Sequence, residues 1–138
     1  MLIMYLHTTP ACTLIWMESK DMLYALSCIL KKRGIIKSRW AFYKLFKNPG
    51  DSFRVQWSGE KFALLAYLLY ILHERNIFIT TGTRGYFAFA ERHFCDFFEN
   101  KLKEDYLKNL CYRVRREDVR FALVRAEVNE IVKAISGS

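Results

Sequence analysis

The residues of this chain that could bind a metal, attack a carbonyl or move protons are its four cysteines, three histidines and fourteen acids. His93-x-Cys95 is the one close His/Cys pair. Tetrahedral zinc would need two further ligands, and on a helix positions i and i+2 point apart. Cys12, Cys28, Cys95 and Cys111 form no CxxC pair, which argues against a zinc ribbon or a thioredoxin-type site and for buried thiols. His7 and His73 have no cysteine nearby. The adjacent acids Glu104-Asp105 and Glu117-Asp118 read as favourable charge near helix starts rather than as an acid/base pair. Gly82-Thr83-Arg84-Gly85 lacks the spacing and the Lys-Ser/Thr of a phosphate loop, and neither HExxH nor GxSxG occurs. The reading is a protein that is not an enzyme, with no metal and no cofactor.

Charge points elsewhere. The formal net charge is +8, and it is unevenly spread. Residues 1–50 hold eight basic and two acidic side chains, residues 51–100 five and six, and residues 101–138 nine and six. Lys31-Lys32-Arg33 with Lys37 and Arg39 forms one cluster, and Arg113, Arg115, Arg116 and Arg120 form another. If a helix ran through the second, Arg113, Arg116 and Arg120 at i, i+3 and i+7 would share one face suited to tracking phosphates. Four guanidinium groups within eight positions repel one another unless an anion lies between them. Such charge supplies nonspecific affinity for a polyanion but no sequence readout.

The elements that must position these clusters are written twice. Trp16 and Lys20 recur as Trp57 and Lys61, and after one inserted residue Met22, Leu23, Leu26, Ile29, Leu30, Ile35 and Ile36 fall on Leu64, Leu65, Leu68, Ile71, Leu72, Ile77 and Phe78. Each copy reads as a short strand, a polar turn, an apolar helix and an extended segment. In the first, Thr13–Trp16 is β-prone, Ser19 caps a helix ending at Gly34, and Ser38 caps a short second helix carrying Trp40, Phe42, Tyr43, Leu45 and Phe46. Asn48-Pro49-Gly50-Asp51 is the turn between the copies. In the second, a helix over Lys61–Arg75 is apolar on most sides, a loop occupies Thr80–Gly85, and a helix over Tyr86–Lys101 carries Phe87, Ala90, Phe94 and Phe98 at helical spacing. Farther on, Leu107, Leu110, Cys111 and Val114 mark one helical face, and Phe121, Val124, Val128, Ile131 and Ile135 another, with a break at 115–118 and Asp118 as its cap.

The fold class this implies is mainly α with a few short β-strands (α+β). A single domain over 1–138 is built of two strand-helix-strand-helix units, about 13–47 and 54–101, with a C-terminal helical segment 102–135. Trp16 and Trp57 are its equivalent core anchors. At 52% hydrophobic and 16% aromatic, 138 residues bury enough apolar surface to order the chain. The longest apolar run, Phe62–Leu72, is about half of what a bilayer demands, so no membrane span is expected. The apolar N-terminus has no basic residue ahead of its apolar part and reads as folded protein, which with the thiols places the chain in the cytoplasm.

From Val55 onward the chain resembles the C-terminal region of the RteC family, regulators found with bacterial conjugative transposons. Val55-Gln56-Trp57-Ser58-Gly59-x-Lys61 carries the likeness, followed by Leu64, Leu65, Tyr67, Leu68, Leu72, His73 and Glu74, then Arg113-Val114-Arg115-Arg116 before Phe121. It covers roughly residues 55–135. The resemblance implies a helical, winged-helix-like DNA-binding regulator of mobile elements. Lys31, Lys32, Lys37, Arg39, Arg113, Arg115, Arg116 and Arg120 are the expected phosphate contacts, with a helix near Arg84 entering the major groove. The expected partner is double-stranded DNA, with a homodimer left open. The alternative is a protein-interaction or oligomerisation module that binds no nucleic acid.

Overall fold

Hydrogen bonding at the helix ends of the first half follows directly from the local sequence. The structure, a computed structural model, describes residues 12–47, 49–82, 85–116 and 119–137. Arg84, Asn48, Asp118, His7 and the rest of the apolar stretch 1–11 lie outside them. Strand β1 (Cys12–Trp16) leads to helix α1 (Lys20–Lys32), where Ser19 is extended and its Oγ accepts the Met22 N–H at 3.1 Å. Leu23, Leu26 and Leu30 form the buried face of α1. The helix stops at Gly34, whose φ of +72° is the left-handed conformation glycine enters without steric cost. There the Ile35 N–H bonds the Leu30 carbonyl at 2.9 Å and the Gly34 N–H bonds that of Lys31 at 3.0 Å. Ser38 then caps α2 (Arg39–Lys44) by accepting the Ala41 N–H at 3.1 Å.

The next stretch runs β2 (Val55–Gln56), a 3₁₀ turn (Gly59–Lys61), α3 (Phe62–Glu74), β3 (Phe78–Gly82), α4 (Tyr86–His93) and β4 (Phe94–Cys95). Helix α3 ends as α1 does. Asn76 takes φ +57°, the Ile77 N–H bonds the Leu72 carbonyl at 2.9 Å and the Asn76 N–H bonds that of His73 at 3.0 Å. Helix α5 (Tyr106–Arg115), a 3₁₀ turn (Val119–Phe121) and α6 (Ala122–Ser136) complete the chain.

The protein is mainly helical with a few short strands in two small sheets. Strand β1 pairs antiparallel with β3, Trp16 opposite Phe78, and β2 pairs parallel with β4. Ile36 bridges Trp57 antiparallel, the Met17 N–H bonds the Ile77 carbonyl at 2.8 Å, and the Ser58 N–H bonds that of Ile35 at 2.8 Å. One buried cluster extends from Leu14 of β1 to Ile135 of α6, with α3 contributing seven buried residues at its centre. Among the described residues, no helix is long and apolar enough to cross a membrane.

Three expectations need correction. The helix expected over Tyr86–Lys101 ends at His93, because Phe94 turns into the core edge-on against Trp57 (5.6 Å) and Asp96 then folds the chain back. One Asp96 oxygen accepts the N–H groups of Phe98 and Asn100, each at 2.8 Å, which leaves Phe98 85% exposed. The loop expected at Thr80–Gly85 is strand as far as Gly82, since β1 offers its edge there. The two tryptophans are not equivalent in burial. Trp57 is 0% exposed, whereas Trp16, at the end of a two-stranded ribbon, packs edge-on against Phe46 (5.2 Å) and stays half-buried.

Candidate nucleic-acid interface

The first basic cluster straddles the end of α1 and the start of α2, and much of its charge is already engaged. Arg33 donates to Glu127 at 3.0 Å and to Glu130 at 2.7 Å, both on α6, and Lys61 donates to Glu127 at 3.1 Å. Burial alone would raise the Glu127 carboxyl, but Lys61 and Arg33 hold it below the usual carboxylate range. Lys31 donates from Nζ to the Lys37 carbonyl at 2.7 Å, tying the two helices together. The Lys37 ammonium rests 4.8 Å from the Phe97 ring centre. Lys32 is exposed and makes no hydrogen bond or ion pair among the described residues.

Arg39 turns along α1 instead of outward. Its guanidinium lies 5.8 Å from the Tyr24 ring centre and within 3.5 Å of the Cys28 sulfur. That contact holds the Cys28 thiol below its ordinary pKa. Beside it an open cleft of about 510 Å³ separates α1 from α2, lined by Lys20, Asp21, Tyr24, Arg39, Trp40 and Tyr43 among others. Trp40 is 68% exposed and stacks on Tyr43 at 6.0 Å, and the Lys47 ammonium lies 5.3 Å from the Tyr43 ring centre. Sequence spacing groups Trp40 and Tyr43 with Phe42, Leu45 and Phe46 on the short second helix without separating surface from core. The exposed ring one position after Arg39 and seven before Lys47 is the signal that distinguishes a surface aromatic, and only the burial of Phe42, Leu45 and Phe46 makes it legible.

The second cluster ends α5. Arg113 is exposed and its side chain makes no hydrogen bond or ion pair among the described residues, Arg115 lies over the Tyr70 ring at 4.1 Å, and Arg116 over that of Tyr112 at 5.3 Å. Among the described residues no carboxylate is ion-paired with any of the three. Helix α5 stops at Arg115, so the continuous face through Arg113, Arg116 and Arg120 does not form, and Arg120 sits in the following 3₁₀ turn. Glu91 of α4 fixes the other end of α5, accepting the N–H groups of Asp105 (3.0 Å) and Leu107 (2.8 Å).

Helix α6 separates the clusters. Arg125 donates to the Val114 carbonyl at 2.9 Å, whereas Glu127, two residues on, receives Arg33 and Lys61. Two residues are about 200° of helical rotation, so the arginine end of α5 and the lysine end of α1 flank opposite edges of α6. Of the groups considered for metal or redox work, His93, Cys95 and Cys111 are core residues. His93 is buried with Nδ1 2.8 Å from the Phe53 carbonyl, and burial raises the thiol of Cys95 and pushes that of Cys111 up to about 11. Cys28, Cys95 and Cys111 are free thiols, and the Cys12 side chain lies outside the described residues. The chain matches no protein-family model, no curated protein and no solved structure.

Proposed function

We propose that this is a non-enzymatic nucleic-acid-binding protein that grips the phosphates of double-stranded DNA with the arginines at the α5–α6 turn. One observation carries the reading. Arg113, Arg115 and Arg116 crowd the last turn of one helix with no ion-paired carboxylate among the described residues, while Arg33 of the other cluster has two. The helix dipole offsets part of their mutual repulsion, and a phosphate between them would offset more. Arg120, in the 3₁₀ turn that follows, is a further candidate contact, and Lys31, Lys32, Lys37 and Arg39 across α6 are a second, more engaged contact region. The resemblance to RteC regulators supports a cytoplasmic, transcription-regulating role in a mobile element, with a winged-helix-like docking of α5.

We also read the chain as two copies of one unit. Gly34 and Asn76, 42 positions apart, both end a helix in the left-handed conformation. The bonds from Met17 to Ile77 and from Ser58 to Ile35 are reciprocal once the inserted residue is allowed for, Met17 and Ser58 lying before it and Ile35 and Ile77 after it. Each tryptophan donates its ring N–H to the carbonyl of the next turn, Trp16 to Ser19 at 3.0 Å and Trp57 to Lys61 at 2.7 Å.

Fluorescence anisotropy on a labelled duplex at rising salt tests the DNA reading. Affinity falls with salt, and the double variant Arg113→Gln/Arg116→Gln lowers the slope of log K against log salt by roughly 1.8, at about 0.9 per lost phosphate contact. Arg115 is kept because its guanidinium covers Tyr70. No binding at about 50 mM salt, or an unchanged slope in the variant, overturns the proposal.

A further inference from the structure

The two copies differ in what covers them. Under the 42-residue correspondence, Tyr24, Ser27 and Cys28 of α1 match Ala66, Leu69 and Tyr70 of α3. In the second copy that stripe of α3 begins at Phe62 and carries α5. Phe62 meets Tyr106 edge-on at 6.1 Å and Tyr70 lies under Arg115, with Ala66 and Leu69 on the same helical face between them. Helix α5 buries Leu107, Leu110, Cys111 and Val114 and also packs on α4, the counterpart of α2. In the first copy the matching surface is the α1/α2 cleft, where Tyr24 is 56% exposed and Trp40 more so. Among the described residues no helix covers α1 as α5 covers α3, so Tyr24 and Trp40 stay exposed there although Ser27 beneath them is buried.

We propose that the α1/α2 cleft docks an acidic amphipathic helix of a partner protein, laid against Tyr24, Trp40 and Tyr43 as α5 is laid against α3. The charge selects the occupant. Lys20 and Arg39 line the cleft and Lys47 adjoins it, against the carboxylate of Asp21 among the described lining residues. A second copy's α5 is excluded as occupant because it brings Lys108, Arg113 and Arg115 of its own. A helix with leucines at i, i+3, i+4 and i+7 flanked by glutamates satisfies both the rings and the cations. The inference rests on the two-copy reading; it shares Arg39 with the second contact region of the DNA reading, whose carrying residues Arg113, Arg115 and Arg116 lie beyond α6.

The test is anisotropy of a labelled helical peptide of about 15 residues with that leucine spacing, in a Glu-flanked and a Lys-flanked version, titrated with the full chain. The Glu-flanked peptide binds saturably and at least about tenfold tighter than the Lys-flanked one, in keeping with charge selection at the cleft. Trp40→Ala, at an exposed ring, weakens it about tenfold or more with Tm unchanged, as loss of an aromatic anchor does. Arg113→Gln/Arg116→Gln leaves peptide binding unaltered. The proposal is overturned if the Glu-flanked peptide does not saturate by about 1 mM, the weak limit of useful affinity. It is equally overturned if Trp40→Ala binds as wild type does, or if oligothymidylate occupies the cleft more tightly through Trp40. Amide exchange reads the two-copy basis separately: matched protection at Met17 and Ser58 retains it whatever the peptide does, and unmatched protection removes it.

Discussion

Truncating the two tryptophans separates sequence equivalence from structural equivalence. Trp57 is fully buried, its ring N–H donates to the Lys61 carbonyl at 2.7 Å, and it touches Phe94 edge-on and Phe42 at 6.3 Å. Trp57→Ala removes all of this at once and leaves a cavity, a loss of about 3–5 kcal/mol. Trp16 donates an equivalent bond, but its ring is half-buried and meets one aromatic partner, Phe46. Trp16→Ala therefore costs about half as much, roughly 1.5–2.5 kcal/mol. For a chain of this length about 3–4 °C of Tm corresponds to each kcal/mol, so the two variants melt roughly 10–20 °C and 5–10 °C below wild type. Calorimetry with urea titration at fixed pH measures both. Equal losses, or a larger one at Trp16, would refute the argument that burial and not repeat position sets the cost.

The fold favours neutral His93, since burial lowers its pKa more than the Phe53 carbonyl raises it. The unfolded chain then binds more protons below about pH 6.5, so stability present at neutral pH is lost as pH falls below that value, by at most about 1.4 kcal/mol per pH unit. Urea midpoints at pH 7.5 and 5.5 show the difference, and His93→Phe removes it. Glu91→Ala leaves the Asp105 and Leu107 N–H groups without their acceptor and costs about 1–2 kcal/mol, read as a lower urea midpoint, with Glu91→Gln retaining part of the loss. Iodoacetamide followed by peptide mass mapping labels Cys28 before Cys95 and Cys111, because Arg39 favours its thiolate while burial disfavours the other two. Arg39→Gln slows Cys28 labelling, and equal rates at the three sites would contradict this account.

Local chemistry made the helix starts and stops of the first half legible without coordinates. Ser19, Gly34 and Ser38 each act on a backbone group within a few residues, so their types alone specify the caps that form. The faces Leu107–Leu110–Cys111–Val114 and Val128–Ile131–Ile135 were equally plain, because helical periodicity records which side is dry. The aromatic spacing from Phe87 to Phe98 obeyed the same period and misled, since Phe94 fills space against Trp57 and Asp96 supplies a competing turn.

By itself the sequence determined the helical class, the caps at Ser19, Gly34 and Ser38 and the two cationic clusters, all of which depend on neighbours within a helix turn or on residue counts. Tertiary structure alone decided which charges are spent. Glu127 is 94 residues from Arg33 and 66 from Lys61, so no local pattern announces that one carboxylate engages both. It also decided that α5 covers α3 while Tyr24 and Trp40 on α1 and α2 face solvent. Packing against distant segments assigns burial, and burial turns a run of rings and cations into either core or surface.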